Sequence, residues 1–242
     1  MKKISELDQV KVEYVRLWIL AAIAFIVSPL IAMCFASSDA ESPLFTSISR
    51  LGWITGHKAL MYFWGATLLV PMTYTMWYAM EYAEINKVGR QLVKWCTIAF
   101  ATIVFVGSLI PAHDPGEDFS NTVRNSMALA HDHMSRIGMF GIVGVLLGYC
   151  VFAFIAKKWE HATIMTLFAL FIIGSGVYSF IVVKDPTTYC GVSAVTQIYA
   201  FGMMLIFMFV TYYYWAKKHI KKLKAEKVQE VATESEEEKV EE

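Results

Sequence analysis

The stretch ATIMTLFALFIIGSGVYSFIVV, residues 162–183, carries no charged side chain and shows neither an amphipathic nor an alternating pattern. An apolar run of roughly 20 residues matches the hydrocarbon thickness of a bilayer. With no water there to satisfy peptide groups, such a run has to close its hydrogen bonds internally and so reads as a helix. Working outward, five further runs have the same character: Leu17 to Ala36, Ala59 to Ala79, Val93 to Ile110, Ile137 to Ala156 and Val195 to Trp215. No ten-residue segments alternate with period two, which excludes a transmembrane β-barrel. The composition agrees, with 57% hydrophobic and only 17% charged residues, too apolar for an ordinary soluble domain.

The expected fold is therefore all-α: a polytopic membrane protein, a six-transmembrane-helix bundle over residues 1–216. A charged cytoplasmic tail follows over 217–242 and passes from basic KKHIKKLKAEK to acidic ESEEEKVEE. Its first part reads as a helical extension and its last dozen residues as disordered. The first run follows Lys2, Lys3, Lys11 and Arg16 as a signal peptide would. Its apolar core is longer than that of a cleaved signal, and an uncleaved first helix is expected.

The formal net charge of +0 hides an asymmetry. Lys and Arg gather in the N-terminal segment, in NKVGRQLVK, at Lys157 and Lys158 and after Trp215, whereas the alternate loops hold only Arg50, Lys58, Arg124, Arg136 and Lys184. By the positive-inside rule both termini face the cytoplasm, in a plasma membrane or one like it. The basic residues follow this topology and form no groove, so nucleic acid is not an expected partner.

Within the helices, Met and aromatic residues are packing material. Gly138, Gly141, Gly144 and Gly148 allow close helix approach, with Gly144 and Gly148 at small-xxx-small spacing. Cys34 and Cys190 both lie toward the outer side, where a disulfide between them and two free thiols are open alternatives.

Chemistry concentrates on the outer face. IPAHDPGEDF and AHDHMSR, between the third and fourth runs, join SRLGWITGHK of the first outer loop. Three readings follow. In one, His57, His113 and His131 with Asp114 or Asp132 hold a metal, zinc being suited to such donors, for a metal-assisted hydrolase or transferase acting on an outer-leaflet lipid. The spacing argues against it, since neither HExxH nor HxxxH occurs, and a helical HDH puts His131 and His133 about 200° apart. In the second, Arg50, Lys58, Arg124 and Arg136 receive a lipid headgroup phosphate. In the third, these residues only solvate and fold loops, with Asp132 near the start of the fourth helix. The runs hold almost no histidine for bis-His haem, and no ionisable residue near their centres for an ion-coupled pathway.

SPLFTSISRLGWITGHK, with LIPAHDPGEDF and AHDHMSRIGMF after it, resembles an uncharacterised six-helix membrane family, domain of unknown function 998. The matching positions are Ser47, Ser49, Gly52, Pro111, Asp114, Pro115, Gly116, His131 and Asp132. The resemblance implies the six-helix fold and, through distant likeness to DRAM-type proteins of membrane lipid organisation, favours membrane lipid as the partner. The expected function is binding or organising lipid at an extracytoplasmic polar site, with a metal-assisted lipid enzyme and a structural or sensory subunit as alternatives.

Overall fold

The computed structural model describes residues 6–36, 48, 49, 52, 56–112, 122–182 and 194–241. Six long helices account for nearly all of these: α1 (Glu6–Ala36), α2 (Lys58–Tyr82), α3 (Lys87–Leu109), α4 (Thr122–Ile155), α5 (Trp159–Val182) and α6 (Ala194–Glu241). Each helix packs on the next in sequence, α6 returns to α1, and α2 also crosses to α6. The result is a closed ring in which α2 is the most central member.

Four helices, α1, α3, α4 and α6, contain stretches long and apolar enough to cross a membrane. In α5 the apolar stretch with described side chains is shorter, Trp159–Ser175. Helix α2 is less apolar because its centre is filled with Thr, Tyr, Trp and Met, which face protein and not solvent: Met61, Met72, Met76 and Met80 are almost fully buried. The outside of the ring is the inverse of a soluble surface. Ile19, Ile26 and Leu30 of α1, Phe140 of α4 and Leu167 and Phe171 of α5 are all more than half exposed, an apolar outer surface of the kind a bilayer covers.

Short connections set the up-and-down order. Asn86 caps α3, its side chain accepting from the Gly89 N–H at 2.6 Å. Helix α4 ends in a Schellman arrangement, with Lys157 N–H donating to Phe154 O and Lys158 N–H to Ala153 O. This requires Lys157 at a φ of 59°, where glycine would be unstrained. Glu84, from the α2–α3 connection, accepts from Lys158 of the α4–α5 connection at 2.8 Å and from Lys218 of α6. These two hydrogen bonds, that of Lys158 foremost, hold the Glu84 carboxyl below the usual carboxylate range and raise Lys158 above the usual lysine range. Both short connections and the start of the α6 extension thus share one end of the bundle. Near it, Lys94 of α3 is buried against Glu81 and lies 4.6 Å from the Trp77 ring centroid of α2.

Two expectations are corrected. Helix α4 starts at Thr122, well before the apolar run at Ile137, so Asp132 sits inside the helix and not near its start. The close approach of α3 to α4 uses Gly138 and Gly141, where a Cβ would fall 2.4 Å from Val104 and 2.1 Å from the Phe100 ring; Gly144 and Gly148 have nothing within 4 Å. The small-residue spacing was right in kind, but those two glycines look away from a neighbour. Beyond Lys217, α6 continues through Glu241. It lacks Gly and Pro, is rich in helix-forming Lys, Glu and Ala, and places Lys222 and Glu226 3.8 Å apart at i,i+4.

Candidate functional site

At the end opposite Glu84, the last turn of α3 leaves carbonyl oxygens without intrahelical donors. Gly107 O accepts from the Ile110 N–H, and both Gly107 O and Ile110 O also face His131 of α4. The His131 Nδ1 lies 2.8 Å from Gly107 O and 3.0 Å from Ile110 O. Both partners can only accept, so Nδ1 carries the proton and Nε2 of the neutral ring is an acceptor. Nε2 lies 3.1 Å from the Ser49 Oγ. Ser49 itself is positioned by its neighbour Ile48, fully buried, whose N–H donates to Gln197 Oε1 of α6 at 2.9 Å.

His131 and Ser49 line a cavity of about 110 Å³ enclosed by α2, α3, α4 and α6, room for several water-sized groups. One side is polar, with Ser49, Ser108, His131, Asp132, Arg136 and Gln197; the other is apolar, with Met61, Trp64, Leu68, Val104, Met139 and Phe201. Arg136 is half exposed at the rim and pairs with Asp132 one turn back at 3.9 Å. The Trp64 indole N–H is buried with no acceptor among the described residues, an unmet polar demand in an otherwise apolar wall. An open apolar groove of about 620 Å³ lies between α2 and α3, lined by Val70, Tyr74, Trp77, Ile98 and Phe105; Leu69 borders both spaces.

Of the residues expected to bind metal or headgroup, the structure brings His131, Asp132 and Arg136 together at this cavity. His131 is 4% exposed while His133 is exposed, as the helical angle between them required. His57 and Lys58 are exposed at the start of α2 and do not line the cavity. Arg50, His113 and Asp114 lie outside the described residues, as does Cys190, and the side chains of Arg124 and Cys34 are likewise outside them. Among the described residues no three His, Cys, Asp or Glu side chains gather as a metal site would require.

No family model, no curated protein and no solved structure matches the chain.

Sequence reasoning missed a second polar cluster, nearer the Glu84 end. Trp215 Nε1–H donates to the Tyr149 hydroxyl at 2.7 Å, and that hydroxyl lies 2.7 Å from His161 Nε2. Indole can only donate, so the phenol proton goes to His161. The His161 ring stacks on Tyr214 at 3.9 Å between centroids. The four side chains come from α4, α5 and α6, and every hydrogen-bonding group named has a partner. This makes the cluster a lock between helices rather than an open site.

Proposed function

We propose that the chain is a six-span membrane protein, with both termini and the Glu84 end cytoplasmic, that binds an amphiphile in the cavity at the extracytoplasmic end. The two-sided lining of that cavity carries the reading. His131, Ser49, Gln197 and Arg136 would receive a polar headgroup, and the apolar wall leading past Leu69 to the α2–α3 groove would receive an acyl chain. Arg136 is suited to a headgroup phosphate or carboxylate because its guanidinium offers a fork of donors. A half-exposed position at the rim leaves it reachable, with Asp132 holding it in place. The resemblance to the six-helix family of unknown function 998, and its distant likeness to lipid-organising proteins, supports a lipid as the amphiphile. The positive-inside asymmetry supports the orientation, since Lys157, Lys158 and the Lys217–Lys227 segment all belong to the Glu84 end.

The test is native mass spectrometry of the purified full-length chain released from detergent. The wild type is expected to retain a lipid of defined mass, and Leu68→Trp, which fills the apolar wall, to lose it while keeping its helical content. Equal lipid retention by both proteins would contradict binding in this cavity. Elemental analysis of the same sample addresses the metal-assisted alternative, which requires near-stoichiometric zinc.

A further inference from the structure

The pairing of Ser49 with His131 has the form of a nucleophile and its base, and it stands at the junction of the polar and apolar sides of the cavity. Three serines line the cavity wall, Ser49, Ser108 and Ser135; Ser108 donates its hydroxyl proton to Phe105 O at 2.6 Å, whereas the Ser49 Oγ lies 3.1 Å from an imidazole nitrogen. Serine is a weak nucleophile until a neighbouring base takes that proton as the bond forms.

The base is oriented as such chemistry needs. In a Ser-His-Asp triad a carboxylate fixes the histidine tautomer and stabilises the imidazolium that forms. Here the carbonyl oxygens of Gly107 and Ile110 occupy that position on Nδ1. They belong to the C-terminal end of α3, where the aligned peptide dipoles amount to roughly half a negative charge. Capping the helix and orienting the base are thus one set of contacts. Gln197 completes the arrangement: the Ile48 N–H occupies its Oε1, so the amide NH₂ is the group it can offer to a developing oxyanion.

We infer that Ser49 and His131 form a catalytic dyad that hydrolyses an acyl ester of the bound amphiphile. The inference rests on the amphiphile reading above. The Ser49 Oγ attacks the ester carbonyl carbon as its proton passes to His131 Nε2. The C–O bond to the alcohol breaks, and the alcohol leaves with that proton, giving acyl-Ser49. Water, deprotonated by His131, then attacks the acyl carbon. The carboxylic acid departs and the proton returns to the Ser49 Oγ, so that ester and water yield acid and alcohol. Neither an oxidant nor a metal enters the balance.

The test uses a long-chain alkyl fluorophosphonate on the full-length protein, with adducts located by peptide mass spectrometry and bound lipid measured in parallel by native mass spectrometry. The wild type is expected to retain lipid and to carry the adduct on Ser49, and Ser49→Ala to carry no adduct. Ser108→Ala should react as the wild type. His131→Gln should react at least about a hundredfold more slowly, the usual share of a general base. Because His131→Gln also disturbs the α3 cap, its helical content is compared with that of the wild type, and a folded His131→Gln protein that reacts as fast as the wild type would overturn the role of His131. Lipid-loaded protein that forms no adduct, or forms it on Ser108, overturns the dyad and leaves the amphiphile reading standing. Absence of both adduct and lipid overturns the two together.

Discussion

Replacing Tyr149 by Phe should destabilise the bundle far more than the loss of one oxygen atom suggests. The Tyr149 hydroxyl serves two partners at once, accepting from Trp215 Nε1–H and donating to His161 Nε2, each at 2.7 Å. Trp215 and Tyr149 are fully buried and His161 is 7% exposed, so water cannot replace the missing oxygen. The variant leaves a buried donor and a buried acceptor unsatisfied, each costing about 1–3 kcal/mol. A total loss of about 2–6 kcal/mol is expected. The assay is reversible unfolding in mixed micelles with increasing dodecyl sulfate, followed by far-ultraviolet circular dichroism and by tryptophan fluorescence. A cycle with His161→Leu separates the pair from its surroundings. The double variant should be more stable than the sum of the single losses implies, by about 1 kcal/mol or more, because it no longer strands the Tyr149 proton or the His161 nitrogen. A Tyr149→Phe loss below about 0.5 kcal/mol, or strict additivity, would refute the assignment of these hydrogen bonds.

Gly138→Ala should cost about 1–3 kcal/mol through overpacking, since its Cβ would fall 2.9 Å from both Phe100 O and Val104 N, backbone atoms that a rotamer change cannot move. Gly144→Ala meets nothing within 4 Å and should be neutral or slightly stabilising; equal melting temperatures for the two variants would count against the packing described. Lys157→Gly should stabilise by roughly 0.5–1 kcal/mol, because it relieves a left-handed residue in the α4–α5 turn, and a loss of stability there would contradict that backbone. Glu84→Gln should cost less than about 1 kcal/mol, since both lysine partners are partly exposed. The carboxyl is depressed in the fold, so this contribution is full above the ordinary carboxylate range and disappears as pH falls through the folded value. Lys158 is raised, so its share is full below the ordinary lysine range and is lost as pH rises through the folded value. Melting curves of wild type and variant should therefore differ at neutral pH and converge in acid, and a gap that widens in acid would contradict the ion pairing.

The helices were legible because apolar runs of bilayer length leave the backbone no alternative to internal hydrogen bonding, and helical angles alone separated buried His131 from exposed His133. The start of α4 was not legible, because Thr122–Arg136 is polar yet free of Gly and Pro, and polarity alone does not distinguish an exposed helix from a loop. Small-residue spacing marked where helices can approach without saying which face meets a neighbour, so Gly144 and Gly148 were favoured over Gly138 and Gly141. His131, Asp132 and Arg136 stand out in the sequence as polar residues just before an apolar run, and the structure places all three on one cavity; the contact between Ser49 and His131 was not legible, because the two are 82 positions apart. His161 escaped notice for a similar reason. It stands in the first turn of α5 beside Trp159 and Glu160, and its partners Tyr149, Tyr214 and Trp215 belong to other helices. A histidine immediately before an apolar run, with Tyr and Trp near the ends of the neighbouring runs, is the signal that would have found it.

The binding of an amphiphile inside the ring is tested most directly by photocrosslinking. The full-length protein is reconstituted in vesicles containing a phospholipid with a diazirine in its acyl chain, irradiated, and the adducts are mapped by peptide mass spectrometry. Adducts on Met61, Leu68 or Met139, which line the cavity, and their loss in Leu68→Trp, are the predicted result. Adducts confined to outward residues such as Ile26, Phe140 and Leu167 would show lipid as surrounding solvent only and contradict the account.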